Sequence, residues 1–156
     1  MKKILIVYHS KTGNTEKMSA AVEVGAKKED VAVHRKRLDE ASVDDLPKYD
    51  GIIIGSPTYF ASCTAEVKRF LDDSIKHYPK LAGKVGAAFA SCGDLGGGSE
   101  TAVLDLIRFF LVHGMVVVGH TSGGHYGPVS IGEPNEDRQK VCEALGQSVA
   151  RLVNRL

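Results

Sequence analysis

The side chains best placed to do chemistry fall in three short polar stretches. The first is Ser10-Lys11-Thr12-Gly13-Asn14-Thr15, hydroxyls and an amide around one glycine. It follows the unbroken apolar row Ile4, Leu5, Ile6 and Val7 and precedes a helical pattern. A small polar loop between a strand and a helix N-terminus makes an anion site. Free backbone N–H groups and the helix dipole converge on one spot, and hydroxyls add donors. No Gly-Lys-Ser/Thr occurs in the chain, so the loop is not that of a nucleoside triphosphatase. Gly13 alone stands where a dinucleotide fingerprint needs three glycines. Hydroxyls and amides without an obligatory cation suit a terminal phosphate monoester.

The second stretch is Ser56-Pro57-Thr58-Tyr59-Phe60-Ala61-Ser62-Cys63. Its two adjacent aromatics suit a flat ligand, unless one of them turns inward as core. The third is Ser91-Cys92-Gly93-Asp94-Leu95-Gly96-Gly97-Gly98. Consecutive glycines let backbone approach a planar ligand closely and offer amides to its edge.

These stretches need elements to position them, and the hydrophobic pattern supplies a regular alternation. Strands are expected at residues 4–7, 31–37, 51–55, 84–90 and 115–119, the second of them an edge strand because it is charged. Helical periodicity covers 15–28, 64–76, 99–113 and 135–155, with Met18, Ala21 and Val22 on one face of the first. Asn135, followed by Glu136 and Asp137, marks a clear helix start. Five strands alternating with four helices pair in parallel through right-handed crossovers, giving an α/β open doubly wound sheet with helices on both faces. Ligands of such sheets sit beyond the carboxyl ends of the strands, which selects residues 9–15, 56–63 and 91–98.

Composition narrows the partners. The 156 residues suit one domain, 1–156, with 43% hydrophobic and 25% charged residues. A net charge of +1 gives no reason to expect nucleic acid or a membrane surface, and Arg35-Lys36-Arg37 reads as a solvated cluster. The apolar run after the charged N-terminus is only a strand long, so neither a signal peptide nor a membrane span is expected. Cys63, Cys92 and Cys142 form no C-x-x-C pair. A metal site is therefore not expected, and the thiols suit a reduced, cytoplasmic protein. Cys63 and Arg69 meet the bare C-x5-R spacing of a phosphatase, but without its glycine-containing cradle.

Taken together, the three stretches resemble those of the flavodoxin-like FMN proteins, and the resemblance runs along essentially the whole chain. Ser10 to Thr15 is similar to that family's T-x-T-G-N-T phosphate loop. Pro57-Thr58-Tyr59-Phe60 and Ser91-Cys92-Gly93-Asp94 are similar to its two isoalloxazine loops. The resemblance implies sheet order 2-1-3-4-5 and FMN as cofactor. It implies that Ser10, Lys11, Thr12, Gly13, Asn14 and Thr15 hold the phosphate. Pro57, Thr58, Tyr59, Phe60 and Ala61 would frame one flavin face and the N5 side. Ser91, Cys92, Gly93, Asp94, Gly96 and Gly97 would bound the pyrimidine edge, and Tyr126 would fold over the flavin from a glycine-rich loop.

Two branches of that family compete. Gly96-Gly97-Gly98-Ser99-Glu100 and His113-Gly114-Met115-Val116-Val117-Val118 are similar to the WrbA-type NAD(P)H:quinone oxidoreductases. That branch implies NAD(P)H as reductant, a quinone as acceptor in a ping-pong cycle, and a possible homo-oligomer, with Tyr59 and His113 as candidate catalytic residues. Cys92-Gly93-Asp94 and the aromatic Tyr59 are instead similar to electron-carrier flavodoxins, which shuttle electrons between redox protein partners. Tyr59 and Ala61 stand where the quinone-reductase pattern has Arg and Gly, and that branch's extra segment after the fourth strand is missing.

Overall fold

A computed structural model describes residues 1–156. Strands β1 (Lys3–Tyr8), β2 (Ala32–Arg37), β3 (Gly51–Pro57) and β4 (Val85–Cys92) form a parallel sheet with β5 (Val116–Val117) and β6 (Val129–Ile131). The order is β2-β1-β3-β4-β5, with β6 also on β4. Helices α1 (Asn14–Ala26), α2 (Ala65–Asp73), α3 (Ser99–Val112) and α4 (Glu136–Arg155) connect and flank the strands.

The apolar rows form strands because β1, β3 and β4 are covered on both faces, and β2 keeps its charges because it is an edge. Alternate residues feed two cores. Ile4, Ile6, Ile53, Ala87 and Phe89 pack under α1 and α4. Leu5, Val7, Ile52, Ile54 and Ala88 pack under α2 and α3. On the first face a Cβ at Gly25 would lie 1.8 Å from the Glu143 carbonyl oxygen, and one at Gly146 would lie 2.0 Å from that of Val22. The two glycines let α1 and α4 close on each other. On the second face a groove of about 560 Å³ lies between α2 and α3, walled by Leu71, Ile75, Phe109 and Val112.

The fifth strand departs from expectation. Where the pattern predicts one strand at 115–119, the edge position is shared by two short pieces. β5 pairs with the start of β4, at Val85 and Gly86, and β6 pairs with its end, from Ala90 to Cys92. Residues 118–128 leave the edge between them. Gly123, Gly124 and Gly127 take positive φ there, which an extended strand cannot use. Val129-Ser130-Ile131 is too short to register as a strand by pattern alone. No helix is long and apolar enough to cross a membrane.

Candidate functional site

The carboxyl ends of β1, β3 and β4 release the three polar loops side by side. They enclose a cavity of about 340 Å³. Lys11, Thr12, Asn14 and Thr15 line it from the first loop, Pro57, Thr58 and Tyr59 from the second, and Ser91, Cys92 and Gly93 from the third. Thr15 and Ser91 share a hydroxyl hydrogen bond of 2.7 Å that ties the outer loops together. Lys11 Nζ stands 5.4 Å from the Tyr59 ring centroid, a cation over an aromatic face across the cavity mouth.

In the first loop, Gly13 begins α1 with φ 98, and a Cβ there would meet nothing within 4 Å. Ser10 turns inward rather than toward the cavity: it is buried, and its Oγ accepts from the N–H groups of Gly13 (3.1 Å) and Glu16 (3.3 Å). The backbone N–H groups of Lys11, Thr12, Asn14 and Thr15 have no protein acceptor. Four unpaired donors at a helix start make an anion cradle. His9, behind the loop, shares a 2.8 Å hydrogen bond with Thr64 Oγ1, the cap of α2, so the first two loops are also joined from beneath.

The basic cluster at the end of β2 is not a solvated one. Arg35 Nε donates to Glu23 at 2.6 Å, and its guanidinium lies 5.4 Å from the Tyr8 ring centroid. Arg37 Nη2 donates to the Ser10 carbonyl at 3.1 Å. The reason is topological: edge strand β2 runs beside α1, whose acidic Glu16 and Glu23 meet its side chains.

The second loop is a tight turn in which Tyr59 and Ser62 exchange backbone hydrogen bonds of 2.9 and 3.1 Å. Phe60 (φ 50) and Ala61 (φ 61) both sit in the left-handed region, uncommon for residues with a Cβ. The turn is held from α3: Thr101 Oγ1 donates to the Ala61 carbonyl at 2.6 Å, and Asp105 accepts from Ser62 Oγ and, at 3.2 Å, from the Cys63 N–H. Thr58 Oγ1, at the cavity wall, is buried without a partner. Phe60 is fully exposed and Ala61 packs on Gly98, so neither lines the cavity. The left-handed turn points the Phe60 ring out to solvent.

In the third loop, the N–H groups of Gly93, Asp94, Leu95 and Gly96 have no protein acceptor. Only Gly93 among them reaches the cavity wall; Asp94, Gly96 and Gly97 are exposed beyond it. The Asp94 carbonyl accepts from Gly97 N–H at 3.1 Å and from the Cys92 thiol at 3.4 Å, folding the glycines back on the strand end.

Two expected residues lie elsewhere. His113 caps the far end of α3, which starts at the third loop; fourteen residues at about 1.5 Å per residue put it roughly 20 Å away. Its Nε2 shares a 2.9 Å hydrogen bond with Ser74, its ring packs edge-on against Phe109, and it lines the groove between α2 and α3. Burial, with His77 nearby, holds its pKa below the usual histidine value. Within one protomer His113 therefore serves packing, at the end of the sheet opposite the cavity. Tyr126 is exposed in the 118–128 loop and does not line the cavity. Conversely, Thr101 and Asp105 hold the loops without a signal in the sequence, and Arg37 does so from a cluster that reads as solvated. Thr101 and Asp105 lie four apart on α3, which only a known docking partner for that stripe reveals. Cys63 is a buried thiol pushed upward by burial and by Asp105, and Arg69 sits within α2, so the C-x5-R spacing makes no phosphate cradle. No group of three His, Cys, Asp or Glu side chains is gathered to hold a metal ion.

Comparison with known proteins agrees with this geometry. Residues 27–126 match the family model described as NADPH-dependent FMN reductase. A protein of Archaeoglobus fulgidus named NAD(P)H dehydrogenase (quinone) is 33% identical, with 100% of each chain covered. That alignment spans 190 positions against 156 residues here, so the relative carries inserted segments that this chain lacks. A flavodoxin of Aquifex aeolicus is 36% identical over 98% of this chain and 88% of its own. Among solved structures, the flavodoxin, WrbA-like protein from Agrobacterium tumefaciens superposes with TM-score 0.85 at 26% identity, covering 99% of both chains. The protein is an oxidoreductase by these relationships, and it belongs to the flavodoxin-like family described by the NADPH-dependent FMN reductase model.

Proposed function

We propose that the protein holds FMN between its three loops and uses it as an NAD(P)H-dependent two-electron reductase of quinones. The cavity fits the group. Unpaired amides at residues 11, 12, 14 and 15 suit a phosphate monoester, the Gly93 amide at the cavity wall suits the carbonyl edge of a flavin, and the orphaned Thr58 Oγ1 waits for a polar partner. When bound, FMN supplies the redox chemistry, passing two electrons between a nicotinamide and an acceptor. The chain's own part is to bind, orient and tune it. Thr12, Asn14 and Thr15 add side-chain polar groups to the phosphate cradle. Pro57, Thr58 and Tyr59 wall one face, with Tyr59 fixed by its turn and by Lys11. The third-loop amides offer positive ends to charge developing at the pyrimidine edge.

The observation that carries the enzyme reading is the open third-loop side. A Cβ at Gly93 would meet nothing within 4 Å, and no aromatic ring lines the cavity on that side. A planar nicotinamide or quinone can stack there. A specific observation also favours a carrier of electrons to redox proteins: the Aquifex flavodoxin is as similar as the quinone dehydrogenase, and the latter's inserted segments are missing here. One experiment separates the two. The FMN-loaded protein is mixed anaerobically with NADH or NADPH, and flavin absorbance is followed. Rapid bleaching, with colour restored by a quinone, is the expected result. A bound flavin that ignores both nucleotides would leave the carrier reading.

A further inference from the structure

We propose that Arg37 is a positioning residue that makes the first loop select a phosphorylated flavin over the bare one; this rests on the FMN reading above. Ser10 is the residue at which the strand becomes the loop, and it is pinned from two sides. Its Oγ accepts from the Gly13 and Glu16 amides, and its carbonyl accepts from Arg37 Nη2 at 3.1 Å. That carbonyl belongs to the same peptide group as the Lys11 N–H, the first unpaired donor of the cradle. A charge-assisted bond to a peptide oxygen polarises the whole group, so the N–H on its other side becomes a stronger donor. The guanidinium thus acts on an anion in the cradle through the Ser10–Lys11 peptide, without touching it.

The side chain is held for this role. Arg37 is about a third exposed, with its guanidinium 5.9 Å from the Tyr8 ring centroid. The carboxylates facing it, Glu16 at 3.8 Å and Asp39 at 3.6 Å, stand farther off than the Ser10 carbonyl. Tyr8 Oη donates to Glu16 at 3.0 Å, which keeps that carboxylate from closing on the guanidinium. Arg35, 5.4 Å from the centroid of the same ring, is occupied by Glu23 and Ser19, so it does not substitute. Arginine is needed because its fork reaches a carbonyl and two carboxylates at once, which a lysine ammonium does less well.

The test compares two ligands that differ only in the phosphate. Dissociation constants for FMN and for riboflavin are measured by flavin fluorescence on the apoprotein, for wild type, Arg37→Met and Arg37→Lys. Methionine keeps an apolar stem against Tyr8 and removes the donor. The expected result is that Arg37→Met weakens FMN about tenfold, the factor equivalent to about 1.4 kcal/mol, and leaves riboflavin unchanged. Arg37→Lys falls between. The 31P resonance of bound FMN shifts in both variants. Equal weakening of FMN and riboflavin would make Arg37 a general structural residue and overturn the inference, as would no change in either ligand. Should Arg37→Met fail to fold, the same pair of titrations on Arg37→Lys decides by the same criterion. Wild type that shows no preference for FMN over riboflavin would instead sink the cofactor reading itself, and this inference with it.

Discussion

Helices α1 and α3 start in the same way and are used in opposite ways. Each begins on a left-handed glycine, Gly13 at φ 98 and Gly98 at φ 91, and neither has a side-chain cap. Helices α2 and α4, by contrast, are capped by Thr64 and Asn135. Both helix starts leave first-turn amides unpaired, Asn14 and Thr15 in α1 and Ser99 to Thr101 in α3, but at Gly13 the surrounding space is open. At Gly98 it is filled: a Cβ there would lie 2.4 Å from that of Ala61, and Thr101 bonds the Ala61 carbonyl. One helix start is left open, and the other is docked by the protein's own second loop. A glycine at a helix start is therefore not by itself a ligand site; what occupies the space in front of it decides.

The comparison breaks most visibly at Gly98. Gly98→Ala adds a methyl with no room, at a φ that L-residues avoid, so about 3 kcal/mol of stability should be lost in urea titrations. Because the Tyr59 turn is displaced, FMN and riboflavin should weaken together. Gly13→Ala carries the conformational penalty without the clash and should cost about 1–2 kcal/mol. Its ligand effect should be selective, weakening FMN more than riboflavin. If both variants destabilised equally and weakened both ligands alike, the two helix starts would be equivalent and the distinction drawn here would fail.

That distinction also marks where the sequence stops being informative. The apolar rows of β1 and β3, the helix periodicities and the three loop positions could all be read in advance, because burial on two faces and amphipathic spacing leave direct traces. The position of the first loop, Ser10 to Thr15, could be read for the same reason, being contiguous, but the inward turn of Ser10 could not. Phe60 could not: its exposure follows from a two-residue left-handed turn that no residue type there announces. Arg37 looked solvated because its partner is a backbone carbonyl 27 positions earlier, and backbone carbonyls carry no sequence signal. His113 matched a family pattern, yet a helix of fourteen residues carries it to the far end of the sheet. The break between β5 and β6 was hidden because each half is only two or three residues long.

A milder test addresses what holds the second loop to α3. Thr101→Val keeps the shape and removes the hydroxyl that lies 2.6 Å from the Ala61 carbonyl and 2.8 Å from that of Gly98. The expected loss is about 1 kcal/mol in thermal or urea unfolding. The ligand signature matters more than the size: with the loop walling the ring as proposed, both flavins should weaken by the same factor. A phosphate-selective loss would instead put the second loop against the phosphate and count against its role at the ring.

The smallest effect is expected in the pH dependence of the same docked turn. Cys63 follows the turn, its N–H is bonded to Asp105, and burial followed by the Asp105 charge pushes its thiol above the usual cysteine range. An acid whose pKa is raised on folding keeps its proton longer in the native state than in the unfolded chain. Its contribution to stability is thus complete below the unfolded value of about 8.5 and is lost as pH rises through the native one. Wild type should therefore show a falling melting temperature above about pH 8.5 that is steeper than in Cys63→Ala, whatever the offset between the two proteins at pH 7. The difference in slope, rather than in stability, is the readout, because the alanine variant also loses packing. Parallel curves would mean that the thiol ionises freely, and that the turn over α3 is looser than its hydrogen bonds to Thr101 and Asp105 describe. A steeper wild-type curve, with slow alkylation of Cys63 at neutral pH, would fix the second loop as the protein's own closure of α3, in contrast to the open space before α1.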